Sequence, residues 1–233
     1  MCSSDLVLAR PREDAASVAM TATFGNTVML GIPLAIGAFG DKATAIIALV
    51  LSIHAPTWWL LGMLHAQAAG GAPDQSPGKM IASLARDLMR NPIIIGILVG
   101  VLWRFTGLKL PVAIDRLLQL MAQAGIPTSL VALGLTLVGF EIKGQMPTLT
   151  AVIALKLVFM PLVAWLMAHY VFALDPLTTG VIVVMAAVPT GANAFLFAVK
   201  MGRAVNSASG AVALGTAVAA VTATILLNLL PRG

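Results

Sequence analysis

TFGNT at residues 23–27 and VPTGAN at residues 188–193 interrupt two long apolar segments in corresponding places near the two ends of the chain. Each interruption contains glycine and the second also contains proline, so we do not expect either segment to form one continuous helix. Each is followed by a short charged turn and an Ala-rich segment. In membrane proteins, two corresponding interrupted segments in two halves of a chain are typical of a transporter binding site.

The composition of the 233 residues is that of a membrane protein. Hydrophobic residues make up 59% of the chain, charged residues make up 10%, and the mean hydropathy is +0.98. The charges fall in clusters that leave apolar intervals of about 20 residues, the length of a helix that crosses a bilayer. We predict an all-α membrane protein with seven transmembrane helices, at residues 15–39, 43–68, 91–105, 114–139, 147–172, 176–201 and 206–230.

A linker and an interfacial helix are predicted at residues 70–90. Residues 70–78 are rich in Gly and Pro, and residues 79–90 place their apolar side chains largely on one face. Lys and Arg are more frequent in the loops on the side of this linker, eight against five. That side is therefore expected to be cytoplasmic, and the chain to be a multi-pass protein of the inner (cytoplasmic) membrane.

The first six residues are interpreted separately from the rest. Residues 1–6, MCSSDL, match the translation of a common sequencing adapter, so we expect them to be an artefact that hides an N-terminal truncation. Two spans precede the linker and five follow it. If the protein consists of two inverted repeats of five spans, residues 7–69 are the remnant of the first repeat and residues 91–233 are the second.

The two interruptions supply the candidate substrate site. Pro189 lacks an N–H and obstructs the carbonyl of Met185, while Gly25 and Gly191 permit unusual backbone conformations. The half-helix that starts after a break presents N–H groups and a positive dipole end, which suits a carboxylate. Neutral hydrogen-bonding side chains are added by Asn26, Thr27, Thr190 and Asn193. The alternative is that Pro and Gly only kink the helices and that the Asn residues join helix to helix.

Lys156 is the charged residue that lies well inside a predicted span. An unpaired Lys at the bilayer centre costs roughly 2.5 to 3.5 kcal/mol on insertion scales, so it should face protein or water. We expect it either to supply positive potential to an anion path or to pair with an acid outside this sequence. Extension of its long side chain to the interface is the alternative.

The nine acidic residues lie in loops, at span ends or in residues 1–6, so no intramembrane carboxylate for proton coupling is evident.

A longer motif suggests a family. FGNTVMLGIPL at residues 24–34 resembles the fourth-helix signature of the auxin efflux carrier family, whose bacterial members are often called malonate or permease-type transporters. The resemblance continues with NP at residues 91–92, IPTSL at 126–130, LKL at 155–157 and VPTGANAF at 188–195. One departure is Gly25, because plant members often have Pro before the Asn of the first break.

This resemblance implies a ten-helix carrier made of two inverted five-helix repeats, with broken helices that cross at the centre and organic anions as the usual substrates. The first two spans of this chain then look like the fourth and fifth helices of the family, and the remaining five look like the sixth to tenth.

The predicted function is alternating-access secondary transport of a small organic anion, a carboxylate, across the cytoplasmic membrane. The lipid bilayer is an expected partner, nucleic acid is not, and a homodimer is left open. We expect no cofactor, metal site or catalytic residue. Two alternatives remain: an intramembrane hydrolase that uses His54 with Ser52 or Ser129, and a carrier fragment without a function of its own.

Overall fold

A computed structural model describes residues 10–70, 78–79, 82, 85–86, 89, 92–138 and 146–229. The regular secondary structure of these residues is helical, as predicted, apart from an isolated antiparallel bridge between Gly25 and Thr190. The helices are α1 (Ala15–Thr23), α2 (Ile32–Phe39), α3 (Thr44–Ala68), α4 (Pro92–Thr106), α5 (Val112–Val138), α6 (Met146–Val171), α7 (Pro176–Ala186), α8 (Ala192–Met201) and α9 (Val205–Leu229). Residues 1–6 and most of the predicted linker and interfacial helix lie outside the described residues.

Helical hydrogen bonding stops at the two places that the sequence predicted. α1 ends at Thr23, and a π-helical turn, Thr27–Gly31, leads into α2 after the first break, residues 24–26. α7 ends at Ala186, and α8 begins after the second break, residues 187–191. Phe24 has extended backbone angles in the first break, and so has Gly191 in the second. Each pair of short helices, α1 with α2 and α7 with α8, is therefore an interrupted segment of the predicted kind.

The start of α7 is specified locally. Asp175 is its N-cap and accepts a hydrogen bond of 3.0 Å from the backbone N–H of Thr178, while Pro176 fills the first helical position. The Thr178 hydroxyl also donates to this carboxylate. The side-chain hydrogen bond and the backbone hydrogen bond from Thr178 lower the pKa of the exposed Asp175.

Apolar clusters of described residues surround the two breaks. One cluster joins the first break to α1, α3 and α8, a second joins α2, α3 and α7, and a third joins α1, α6 and α9. Each cluster therefore combines helices from both sides of the predicted linker. Their most buried large members include Met20, Phe24 and Phe197 in the first cluster, Ile47, Val181 and Met185 in the second, and Leu149 and Val152 in the third.

Three described helical segments are long and apolar enough to cross a membrane: Thr27–Ala68, which runs through α2 and α3, then α6 and α9. α7 and α8 are shorter apolar helices that flank the second break. Large apolar side chains are exposed on α4, α5, α6 and α9, as expected for surfaces that face lipid. The helices match the ranges predicted for the spans to within two residues at each end that extends beyond them, while the count of seven spans and the inverted repeat stay predictions.

We expect Gly180→Ala to destabilise the protein, because Gly180 of α7 packs directly under the ring of Phe39. A Cβ at position 180 would lie 2.5 Å from Cζ of Phe39, well inside van der Waals contact. Overpacking of this kind costs about 1–3 kcal/mol. Thermal unfolding of the detergent-solubilised protein measures the effect.

Gly37→Ala in α2 is the matched control, since a Cβ at Gly37 meets no atom within 4 Å. It should leave the melting temperature unchanged or raise it, because Ala favours helix over Gly by about 1 kcal/mol. Equal melting temperatures for the two variants would contradict this packing.

Candidate functional site

The two breaks meet and pair through their backbones. The N–H of Asn26 donates to the carbonyl of Pro189 at 2.7 Å, and the N–H of Gly191 donates to the carbonyl of Phe24 at 2.9 Å. These two bonds form the antiparallel bridge between Gly25 and Thr190. Interrupted helices leave backbone groups without helical partners, and such groups are tolerated at membrane depth only where protein or a wet cavity surrounds them. Each break thus supplies partners for the other.

The close approach leaves little room for a side chain at Gly191 or Gly25. A Cβ on Gly191 would lie 2.9 Å from the carbonyl oxygen of Gly25 and 3.1 Å from the backbone nitrogen of Asn26. A Cβ on Gly25 would lie 2.8 Å from Cγ2 of Val188 and 3.1 Å from Nζ of Lys156. A side chain at position 191 would therefore meet the backbone of the first break, whereas one at position 25 would displace only the side chains of Val188 and Lys156.

Thr190 and Asn26 bind backbone groups at the breaks. The Thr190 hydroxyl donates to the carbonyl of Thr21 at 2.8 Å, in the last turn of α1. The Asn26 side-chain oxygen accepts from the N–H of Met29 at 3.3 Å and thereby caps the helical turn that follows the first break. Asn26, Thr27 and Thr190 are all buried. This side-chain hydrogen bond lies within one segment of the chain, so substrate contact by the Asn26 amide and the alternative that it joins two helices both stay predictions.

Lys156 reaches the same place from α6. It lies in a π-helical turn, Leu155–Phe159, its side chain is 2% exposed, and its Nζ donates to the carbonyl of Ala186 at 2.9 Å. Ala186 is the last residue of α7, so the ammonium group sits at the negative end of that half-helix, where a cation is favoured. The side chain is therefore buried within the protein, beside the breaks.

Asn193 is the exposed member of the predicted site. It is in the first turn of α8, directly after the second break, and its side chain is exposed. The structure therefore brings together seven of the eight predicted site residues: Gly25, Asn26, Thr27, Lys156, Pro189, Thr190 and Gly191.

His54 is a residue that the sequence prediction assigned only to the hydrolase alternative. Its ring is edge-on to Phe24 of the first break, with 4.9 Å between ring centroids, and its Nε2 is buried without a hydrogen-bond partner among the described residues. In the sequence, His54 is recognisable only as a histidine two residues before Pro56 inside an apolar span. A single histidine in such a place is common in packed helices. The Ser52 hydroxyl donates to the carbonyl of Leu49, so Ser52 and His54 do not form the nucleophile–base hydrogen bond of a hydrolase.

Comparison with known proteins decides the family. Residues 2–227 match the family model described as "Membrane transport protein". The chain belongs to the auxin efflux carrier family of membrane transport proteins. The family predicted from the break motifs is thereby confirmed, and the paired breaks described above are those of a family member.

Two relatives from the auxin efflux carrier family show how much of such a protein the chain covers. It is 29% identical over 210 residues to the "Putative malonate transporter" of Rhizobium meliloti (strain 1021), a match covering 90% of this chain and 65% of the relative. It is 24% identical over 217 residues to "Auxin efflux carrier component 8" of Arabidopsis thaliana, covering 74% of this chain and 59% of the relative. The chain spans less than two thirds of the length of each of these relatives.

We expect Gly191→Ala to disrupt the paired breaks, because the added Cβ would lie 2.9 to 3.1 Å from backbone atoms of Gly25 and Asn26. The bridge to Gly25 would be lost, and the melting temperature should fall by an amount that corresponds to about 2 kcal/mol or more. Gly215→Ala in α9 is the control, since its Cβ would meet its nearest atoms at 3.7 Å, an ordinary contact. A Gly191→Ala protein as stable as the Gly215→Ala protein would show that the breaks are not in close contact.

Proposed function

We propose that the chain acts in the secondary transport of a small organic anion, a carboxylate, across the cytoplasmic membrane. The observation that carries the proposal is the buried ammonium group of Lys156 at the junction of two interrupted helices. Membership of a membrane transport family supports a carrier over an enzyme. The names of the two relatives support the substrate class, because malonate and auxin both carry a carboxylate.

Charge favours an anion as the substrate. The helical turns that restart after each break direct N–H groups and positive dipole ends toward the site, and Lys156 adds a full positive charge. The neutral groups proposed to contact the anion are the backbone at Gly25, Pro189 and Gly191 and the side chains of Asn26, Thr27, Thr190 and Asn193. These groups orient a carboxylate without the cost of burying a further charge.

Alternating access is the proposed mechanism. We propose seven spans for this chain and two inverted repeats for the whole carrier, with the paired breaks at the interface between the repeats. Two backbone hydrogen bonds join the breaks at this point, so a small rotation of one repeat against the other would expose their polar groups to one side of the membrane and then to the other.

The double variant Asn26→Ala/Asn193→Ala tests the site. Two measurements use the purified protein: equilibrium binding in nanodiscs and uptake into proteoliposomes. The ligands are radiolabelled malonate, succinate, acetate and indole-3-acetate. We expect the wild type to bind at least one of these anions and the double variant to bind it about tenfold or more weakly, because two amide contacts are lost.

Asn206→Ala/Asn228→Ala is the matched control, since both of these asparagines are exposed on α9. It should bind as the wild type does. Binding of none of the four anions by the wild type would contradict the proposed function, and unchanged binding by the double site variant would contradict the proposed site.

Lys156→Met tests the contribution of charge. The variant keeps an unbranched apolar side chain but removes the ammonium group, so the affinity for the bound anion should fall by about tenfold or more. Lys42→Met removes the same charge from an exposed turn and serves as the control. Unchanged anion affinity in Lys156→Met, measured on protein that elutes as a monodisperse peak, would limit Lys156 to a structural role at the end of α7.

A further inference from the structure

His54 lies on α3 and faces the first break. Its ring centroid is 4.9 Å from that of Phe24 and 6.4 Å from that of Trp58 on the same helix, and both contacts are edge-on. The carbonyl of Phe24 accepts the hydrogen bond from Gly191 that joins the two breaks. The imidazole therefore packs directly against the residue at which the two interrupted helices pair.

The Nε2 atom of His54 is buried, and it has no hydrogen-bond partner among the residues that the structure describes. Leaving a buried polar atom without a partner is costly, and a native protein that retains one usually has a functional reason. In this state the Nε2 atom makes no hydrogen bond within the described residues, so the hydrogen-bonding capacity of the ring at this atom is unused.

Two basic side chains, His54 and Lys156, lie at the first break. The imidazole packs against Phe24, and Nζ of Lys156 lies 3.1 Å from the position that a Cβ on the neighbouring Gly25 would take. Within the described ranges, no carboxylate balances this pair, since the acidic residues lie in turns or at helix ends: Glu13, Asp14, Asp41, Asp115 and Asp175. The two basic side chains beside the paired breaks therefore have no described carboxylate as a partner, and an anionic ligand would supply one.

We propose that His54 is a second side chain that binds the transported anion, and that a proton from water joins the imidazole when the anion binds. A carboxylate between Lys156 and His54 would accept a hydrogen bond from Nε2 and would balance the charge of an imidazolium ion. The bound state then holds one anion and one additional proton. This inference rests on the proposed function and adds to it a residue and a mode of coupling.

The proposal predicts the direction in which anion affinity changes with pH. If protonation of His54 accompanies binding, anion affinity must rise as the pH falls through the range in which histidine titrates, by linkage. Lys156 is the charged group of the described elements at the same break, and in the proposed bound state the anion lies between it and the imidazole. The effect is measured between about pH 6.5 and 8.5, across the upper part of the ordinary titration range of histidine.

Three variants, tested by binding of radiolabelled malonate to protein in nanodiscs, separate this role from packing. His54→Gln retains a hydrogen-bonding amide but cannot be protonated in this range. His54→Phe retains an aromatic ring and has no nitrogen. His65→Gln, near the end of the same helix, is the matched control. We expect His54→Gln to lose the rise in affinity at low pH and His54→Phe to bind malonate about tenfold or more weakly.

Melting temperatures of the ligand-free proteins provide the second readout. Because the unpartnered nitrogen is a cost in this state, His54→Phe should melt at the same temperature as the wild type or higher. His65→Gln should match the wild type in affinity and in pH dependence. A packing role predicts the reverse, with a lower melting temperature for His54→Phe and unchanged malonate affinity, and that result would overturn the inference.

The remaining outcomes are also decisive. Wild-type binding that does not change with pH, or a His54→Gln variant with the wild-type pH profile, would refute proton uptake by His54 and leave the proposed function intact. A wild-type protein that binds no malonate or other anion of the panel would refute the proposed function itself, and this inference with it.

Discussion

The backbone pairing between the two breaks is the constraint on which the rest of the structure depends. Two helices that are interrupted inside an apolar environment expose N–H and C=O groups that water does not satisfy, and each break provides partners for the other. The approach is so close that a Cβ on Gly191 would meet the backbone of the first break. The three apolar clusters then hold α1, α2, α7 and α8 around this junction.

The same junction concentrates positive charge. Lys156 satisfies the carbonyl at the end of α7, and the half-helices that restart after the breaks have their positive ends nearby. Burying an ammonium group without a carboxylate is expensive, and no described acidic side chain compensates it. This imbalance is the main support for the proposed anion site.

Much of the architecture was predictable because it is encoded locally. Pro189 and Gly191 mark the second break, Gly25 marks the first, and helices occupy the ranges in which spans were expected. Asn26 and Asn193 looked equivalent, and only the structure distinguishes them: one is a buried cap that faces the junction and the other is exposed on α8. His54 had no sequence signal that separated it from an ordinary packed histidine, since its significance comes from Phe24 and Lys156, which are distant in sequence.

The sequence by itself determined the membrane environment, the helical fold, the positions of the breaks and the family. These properties follow from composition, from apolar runs long enough to span a bilayer, and from residues that cannot continue a helix. The tertiary structure decided which groups meet. Thr190 reaches the carbonyl of Thr21 across 169 positions of the chain, and Lys156 reaches the end of α7 from another helix. Such contacts depend on how helices pack against one another, which no local pattern specifies.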